Sequence, residues 1–567
     1  MSGRKLFLAA AAAGLAARLT HAAFIQGHPF WDLASIWTNS DMHQYLAWAG
    51  RLAAGDWLDV DTFRPYFDYQ RAIAPPEVWN AWFGQHVYYQ PPLYPYLLAL
   101  ALKTAGGTGL FRVAQLALGA VNCGLAALLG ARLFGARAGL LAGLACAGYA
   151  PFVMYDAEIL RGTVVMTTQL MLLLALAGMP GGGGGARRTR ATAAGGAFGL
   201  AYLAEPSILL FLPLALGWMA WVIRMDAAPR PVEGPGRRAS PPAAGAAARV
   251  AAAAAACGLF LTGAAAALSP LIARNAAVGA PLLSSTTRGP IGFVMGNAPD
   301  THPAGAMVPP STGLILSRSG YGMLSTMRET LRLYQGSYGP LLRKQWEKLV
   351  SVWSAYELPD NPSFYYAARV SPVVRWGLRF LPVAALGLAG LVLALAAARQ
   401  SPAAALLPLF LLATHGLFVL AHVNSRYRQP IALALILLAG HAAVTAWRDR
   451  GRAAATVAGV ALAALVVLPK GPPEGYGYDR PAEYVLAARL YQDRGAPAEA
   501  VAEMTAAIDA ARREPPYRGM LPTLLYERGT MQIRAGRRGE AAASFREALA
   551  EDPGFAEARE ALVELER

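Results

Sequence analysis

Charge is scarce in this sequence. Only 15% of its 567 residues are Asp, Glu, Lys or Arg, while 55% are hydrophobic; a soluble enzyme of this length carries about 25% charged residues. Cysteine is scarcer still. Cys123, Cys146 and Cys257 all fall within apolar runs, where a free thiol behaves as a small hydrophobe, so neither a disulfide framework nor a zinc-ligand spacing is available. No HxH or HExxH pattern occurs, which removes the usual histidine-based metal motifs.

What the sequence has instead is apolar length. Runs of roughly 17 to 25 residues, enough to cross ~30 Å of hydrocarbon as a helix, recur from Leu6 to Leu468, whereas 472–567 is polar and charged. The chain therefore divides into a polytopic membrane part and a soluble tail. Its start, MSGRK followed by an apolar run, resembles a signal peptide with a cleavage point near Ala22; the many later spans favour an uncleaved first helix. The net charge of +15 does not point to nucleic acid. Arg4, Lys5, Arg132, Arg137, Arg187, Arg188, Arg190, Arg224, Arg249, Arg399, Arg448, Arg450 and Arg452 lie in short gaps between apolar runs, where basic residues set orientation.

Eleven spans are predicted, near 5–25, 110–131, 138–155, 162–179, 191–204, 207–224, 248–270, 376–397, 402–421, 430–447 and 453–468. With the N-terminus inside, every basic gap is cytoplasmic. The gaps 26–109, 156–161, 205–206, 271–375 and 422–429, and the tail, then lie outside, placing the chain in a bacterial inner membrane. PPLYPYLLALALKTAGG at 91–107 would invert this order as a crossing, so it is read as a helix in the outer interface. GGGGG at 181–185 and the Pro/Gly/Ala-rich 226–247 are read as flexible cytoplasmic linkers.

The tail, 480–567, reads as helical and tetratricopeptide-like. Gly529, Ala541, Phe545, Ala548 and Pro553 fall at that repeat's spacings, with Leu525 where Trp often stands. An earlier copy begins at Gly495, separated by an insertion over 512–518. Two repeats are too few to stand alone, so the tail is expected to pack on the membrane part or on a partner. A generic helical hairpin is the plainer alternative.

Polar residues concentrate in the outer gaps. In SDMHQYLAWAGRLAAGDW at 40–57, Asp41-x-x-Gln44 matches a capping box, and a carboxylate there also suits a catalytic base. HVNSRYRQP at 422–430 places Arg426 and Arg428 outside, against the positive-inside bias; they snorkel to headgroups or clamp a phosphate. His43 and His86 lie near acids and leave a divalent metal open, without ligand spacing to support one. His415 and His422, seven apart, are read as packing between spans.

Asp41, Tyr45 and GDW at 55–57, followed by YYQPPLYPYLLALAL and LFRVAQLALGAVNCGLAALLGARLFGARAGLLAGL, resemble the N-terminal half of family-39-like GT-C glycosyltransferases, the superfamily of protein O-mannosyltransferases and the lipid A aminoarabinose transferase. The resemblance covers most of 1–470 and implies an all-α, polytopic GT-C fold of about eleven spans, with outer loops at 26–109 and 271–375. It implies a functional acid in the first outer loop, at Asp41, and a second acid in YDAEILRG, either Asp156 or Glu158. An Arg-Tyr-Arg-x-Pro element like that at Arg426 and Arg428 recurs in such enzymes and implies a donor-phosphate clamp. ARNAAVGA, GFVMGNAPD and WSAYELPDN resemble the large outer loop; they place Arg274 with the phosphate and Asn297 and Glu357 on the site wall, though such stretches are also ordinary turn chemistry. Tyr45, His43, His86 and Tyr89 complete the predicted lining.

The expected activity is transfer of a sugar from a polyprenyl-phosphate donor to a protein, glycan or lipid hydroxyl on the outer face, with inversion. A carboxylate takes the acceptor proton, and fixed cations meet the charge growing on the leaving phosphate. By analogy with repeat-bearing O-mannosyltransferases, the tail would hold a protein acceptor. Two other classes remain: an O-antigen polymerase or ligase, relying on late arginines rather than Asp41, and a non-enzymatic transporter or scaffold. Transporters place ionisable groups at the midplane or show paired broken helices, whereas here the charges sit at span ends.

Overall fold

Stretches rich in Ala and Leu and poor in internal Pro favour helix, and helix dominates the computed structural model, which describes residues 1–62, 71, 75–180, 184–226, 245–302, 308–398 and 400–567. Among the described residues there is no strand, only a backbone bridge between Tyr149 and Leu378. Most of the linker stretches 181–185 and 226–247 lie outside the described residues; Gly184 and Gly185 begin a helix.

The membrane part comprises α1 (Gly3–Ile25), α2 (Asp41–Ala53), α3 (Leu93–Ala105), α4 (Thr108–Phe134), α5 (Ala136–Gly148), α6 (Ala150–Ala157), α7 (Gly162–Ala177), α8 (Gly184–Ala204), α9 (Leu212–Asp226), α10 (Ala246–Val278), α11 (Arg288–Asn297), α12 (Gly339–Trp353), α13 (Phe364–Val370), α14 (Phe380–Ala398), α15 (Leu406–Leu420), α16 (Gln429–Arg448) and α17 (Arg452–Val467). All eleven predicted spans are helical. Among the described residues seven helices are long and apolar enough to cross a membrane, or eight if the bent pair α6 and α7 forms one span; length and apolarity there do not reach eleven. The chain is an all-α, multi-pass membrane protein.

The predicted span 138–155 is not one helix. α5 stops at Gly148 and Tyr149 is extended, with Pro151 in the first turn of α6; proline has no N–H to continue a preceding helix and suits a new start. α6 and α7 then meet at 119°. Elsewhere small residues let backbones touch: a Cβ on Gly195 of α8 would lie 1.8 Å from the Phe260 carbonyl oxygen of α10, and one on Gly263 would lie 2.1 Å from that of Thr192.

The two ends of the bundle differ. At one end Met1, Arg132 and Leu174 border a common hollow; Arg132 donates to the Leu174 carbonyl at 3.0 Å and Arg190 to that of Gly178. At the other, the outer segments meet. α3 buries Tyr94, Leu98 and Ala99, and Tyr94 packs edge-on against Tyr45 of α2 at 5.0 Å. Thirteen residues make a helix of about 20 Å, shorter than the ~30 Å of a hydrocarbon core.

The tail folds as α18 (Pro481–Asp493), α19 (Pro497–Arg513), α20 (Leu521–Arg534), α21 (Arg538–Glu551) and α22 (Ala556–Glu566). The first hairpin begins earlier than Gly495, and the insertion is a 3-10 turn, Pro515–Met520. Gly529 and Phe545 are in close contact: a Cβ on the glycine would lie 2.5 Å from the Phe545 ring. The tail rests on the membrane part. Glu503 of α19 accepts from Tyr366 at 3.1 Å and from Arg369 at 2.8 Å, Arg494 pairs with Asp32 at 2.5 Å, and the Tyr356 hydroxyl donates to the Gly477 carbonyl at 2.6 Å.

Candidate active site

The cap of α2 is Ser40, whose hydroxyl accepts from the His43 N–H at 3.1 Å. The predicted Asp41–Gln44 capping box is therefore displaced by one residue: Asp41 is the first residue of the helix, and its backbone N–H donates to Asn361 Oδ1 at 2.9 Å. With the cap supplied by its neighbour, the Asp41 carboxylate is free for other contacts. Its Oδ2 lies 2.6 Å from Arg426 Nη2. Its Oδ1 accepts from Gln90 Nε2 at 3.3 Å and lies 3.8 Å from Arg288 Nη1. Arg426 Nε lies 2.9 Å from Asp360 Oδ2, while Asp360 Oδ1 accepts from Asn424 at 3.1 Å.

One buried guanidinium thus lies between two buried carboxylates. Burial alone would raise the Asp41 carboxyl, but Arg426 and then Arg288 outweigh it and hold Asp41 well below the usual range. For Asp360 burial prevails over Arg426, and the Asp41 charge adds to it, so its carboxyl is pushed up. Environments that separate two carboxylates in this way assign them different tasks: Asp41 stays ionised and Asp360 is the one biased toward holding a proton. His422 is buried, and burial followed by Arg288 and Arg426 lowers its imidazole to about 3. It is neutral at ordinary pH, and its Nδ1 has no hydrogen-bond partner.

These groups border a cavity of about 440 Å³, with Trp37, Tyr89 and Tyr427 among its walls. Arg426 and Tyr427 also line a second, narrow cleft of about 50 Å³ between α7, the Pro206–Phe211 turn, α15 and α16, with apolar side chains such as Val165, Ile208, Phe211 and Leu417 in its walls. There Arg161 pairs with Glu205 at 2.7 Å. Among the described residues, the Nη1 atoms of Arg161 and Arg426 both lack a hydrogen-bond partner. Two buried guanidinium groups with a spare N–H beside an apolar cleft offer charge-assisted hydrogen bonds to an anion on an oily chain.

Several predicted site residues stand elsewhere. Arg428 leaves the cavity: it pairs with Glu357 at 2.6 Å, donates to the carbonyls of Val352, Ser354 and Tyr356, and covers the Phe380 ring at 3.8 Å. Arg426 and Arg428 both lie in the turn before α16, and of the pair only Arg426 borders the cavity. Glu357 is spent on Arg428. Arg274 holds backbone carbonyls of Leu58, Asp59 and His86 at 2.6–2.8 Å and lies over the Tyr88 ring. Asn297 ties α11 to α12 by accepting from Gln345 at 2.6 Å and from Lys348 at 3.0 Å. Asp156 pairs with Arg18 at 2.6 Å and accepts from Thr163 at 2.5 Å, and Glu158 is buried with its carbonyl on Gln115; neither borders either cavity.

Tyr45 stands behind Asp41, its hydroxyl 3.4 Å from Gln90 Oε1, and Tyr89 lines the cavity, 3.2 Å from Arg288 Nη1. His43 meets the Ala34 carbonyl at 3.0 Å and His86 that of Val60 at 2.6 Å. Each histidine holds a different loop, and among the described residues no group of three metal-binding side chains forms. His415 stacks on Trp353, while His422 lies beyond the end of α15 and faces the cavity, so the two do not share a helix face.

The sequence reading missed Arg288, Asp360, Asn361, His422 and Arg161 as site residues. The only sequence signal was the polar density of ELPDN at 357–361 and HVNSR at 422–426.

No protein-family model matches the chain, and no curated protein matches it. Among solved structures it is similar to the oligosaccharyltransferase of Archaeoglobus fulgidus in the apo form, at 14% identity and a TM-score of 0.40, over 83% of this chain and 57% of that one. The same enzyme with an inhibitory peptide and a dolichol-phosphate gives 13% identity and a TM-score of 0.34, over 72% and 51%. ArnT from Cupriavidus metallidurans bound to undecaprenyl phosphate gives 14% and 0.28, over 81% and 70%. This chain therefore spans little more than half the length of the archaeal enzyme. At these scores the likeness leaves its activity to be argued from its own residues.

Proposed function

We propose that this protein is an inverting membrane glycosyltransferase that moves a sugar from a polyprenyl-phosphate donor to an acceptor hydroxyl on the extracytoplasmic face of a bacterial inner membrane. The observation that carries the reading is the buried Asp41–Arg426 pair, where the polar cavity meets the apolar cleft. The cleft suits the first isoprene units, and Arg426 and Arg161 suit the phosphate between lipid and sugar. The cavity takes the sugar and the acceptor.

In this reading the acceptor oxygen attacks the anomeric carbon from the Asp41 side. The O–H proton passes to the Asp41 carboxylate, the anomeric C–O bond to phosphate breaks, and lipid phosphate departs with the bonding pair onto Arg426 and Arg161. Donor binding has a second effect. A phosphate that engages Arg426 competes with Asp41 for the same guanidinium, so a carboxylate that is a weak base while paired becomes a stronger one when the donor arrives. His422, neutral with a free ring nitrogen, is placed to meet a sugar hydroxyl. The soluble tail is read as a tetratricopeptide-like domain beside the active face.

The test is to incubate purified protein with a panel of polyprenyl-phosphate sugars and measure lipid-phosphate release. Release from at least one donor, abolished by Asp41→Asn, is the expected result. Inertness toward every donor, or full activity in Asp41→Asn, overturns the proposal.

A further inference from the structure

α12 buries two lysines and exposes a tryptophan. Lys344 and Lys348 are 7% and 1% exposed, whereas Leu342, Trp346 and Leu349 are 69%, 64% and 43% exposed. The last three fall at i, i+4 and i+7, a single apolar stripe, and the lysines occupy the opposite side of the helix. The helix cannot roll to hide that stripe. Lys344 donates to the carbonyls of Ala298 and Thr301. Lys348 donates to Asn297 Oδ1 at 3.0 Å and to the carbonyls of Val419 and Ala421 at 3.2 Å each. Turning the stripe inward would strip two buried ammonium groups of their acceptors, and a buried charge without partners is costly. The stripe is held outward.

Its level relative to the bilayer follows from α15. With the turn before it, that helix forms Pro402–Leu420, long and apolar enough to cross a membrane. Leu412 and Val419 on α15 are each more than half exposed and lie seven apart, on one face, so this side of the span meets lipid. Lys348 grips the last turn of α15, and Trp353 of α12 stacks on His415 at 5.4 Å. From Lys348 to Trp353, α12 therefore descends beside α15 from its end toward His415. Trp346 and Leu349 flank Lys348 and stand at the end of the span, where hydrocarbon gives way to headgroups. Tryptophan concentrates at that boundary, because its ring is apolar with one polar edge. An apolar stripe that adjoins the lipid-facing side of a span shares its cover.

We infer that α12 is an interfacial anchor whose stripe of Leu342, Trp346 and Leu349 is seated in the headgroup boundary of the leaflet nearest Arg426. Its partner is the bilayer surface. The seat bears on the site because Ala421, held by Lys348, directly precedes His422. The inference stands whether or not the protein transfers sugar.

The test uses the full chain, one copy per nanodisc of phosphatidylethanolamine and phosphatidylglycerol, in a Cys257→Ser background; Cys123 and Cys146 are buried. A fluorescent dye is attached at Trp346→Cys or Leu349→Cys, both exposed positions, or at Glu560→Cys on the exposed side of α22. A nitroxide near the top of the lipid acyl chain is expected to quench the α12 dyes at least about twofold more than one near the chain end, since an interfacial stripe sinks only ~5–10 Å. Aqueous iodide should quench them at least about fivefold less than the dye at Glu560→Cys. Iodide quenching equal to that at Glu560→Cys overturns the inference. Strongest quenching by the deep nitroxide does so too, because it puts the stripe in the hydrocarbon core. Shielding from iodide with no quenching by either nitroxide also overturns it and makes a protein surface the cover.

Discussion

Arg426 Nη2 lies 2.6 Å from Asp41 Oδ2, a contact between residues 385 positions apart. It joins the segment after α1 to the turn before α16, and it lies where the cavity meets the apolar cleft. The same contact is a structural ion pair in the free protein and, in the proposed reaction, a link between donor phosphate and acceptor base.

Asp41→Asn keeps the shape of the side chain and removes its charge. Sugar transfer is expected to fall by about 10²–10⁴-fold, the usual worth of a positioned base. Donor affinity should be retained or improved, because Arg426 loses a competitor. Turnover and equilibrium donor binding measured on one preparation check both parts.

Arg426→Gln leaves Asp41 and Asp360 as neighbouring buried carboxylates without their cation. A stability loss of about 3–5 kcal/mol is expected, as for other broken buried pairs, together with loss of donor binding. Adding Asp360→Asn should recover part of the stability and none of the donor binding. Denaturation in detergent and donor titration separate the two effects.

Arg428→Gln should behave differently despite lying two residues away. It breaks the buried pair with Glu357 and is expected to lower the melting temperature, with donor affinity in the surviving folded protein unchanged. Donor affinity lost in step with Arg426→Gln would return Arg428 to the phosphate site.

The acid limb of stability has a defined sign. His422 titrates near 3 when folded and about 6.5 when unfolded, so the unfolded chain takes up the proton first. Stability is lost as pH falls from about 6.5 toward 3, by up to about 1.4 kcal/mol per pH unit. Asp41, lowered in the fold, adds its own loss only below about 4. Between pH 6.5 and 4.5 the variant His422→Gln should lose less stability than the native protein; His28, lowered to about 4, leaves a residual slope. Melting temperatures across that range check it.

Much of the architecture was legible in the sequence, because helix formation and bilayer crossing depend on local composition. Most residues of the predicted apolar runs are helical, although 138–155 breaks at Tyr149, and the gaps that carry Asp41 and Arg426 meet. Tyr149 and Pro151, which break a span, were less visible, since a proline near a helix end is as compatible with a kink as with a stop. Ser40 and Asp41 were confused for a similar reason: both residue types cap helices well, and only the backbone shows which one does.

The sequence by itself determined the helices and two of the residues that meet, Asp41 and Arg426. The tertiary structure alone decided which arginine of the late pair turns inward, that Arg274, Asn297, Glu357 and Asp156 are spent on holding the scaffold, and that Arg288, Asp360 and His422 complete the cavity. The reason is distance along the chain. A side chain's partners in a buried site come from segments hundreds of residues away, and whether a charge faces a cavity or another charge depends on that packing rather than on its neighbours in sequence.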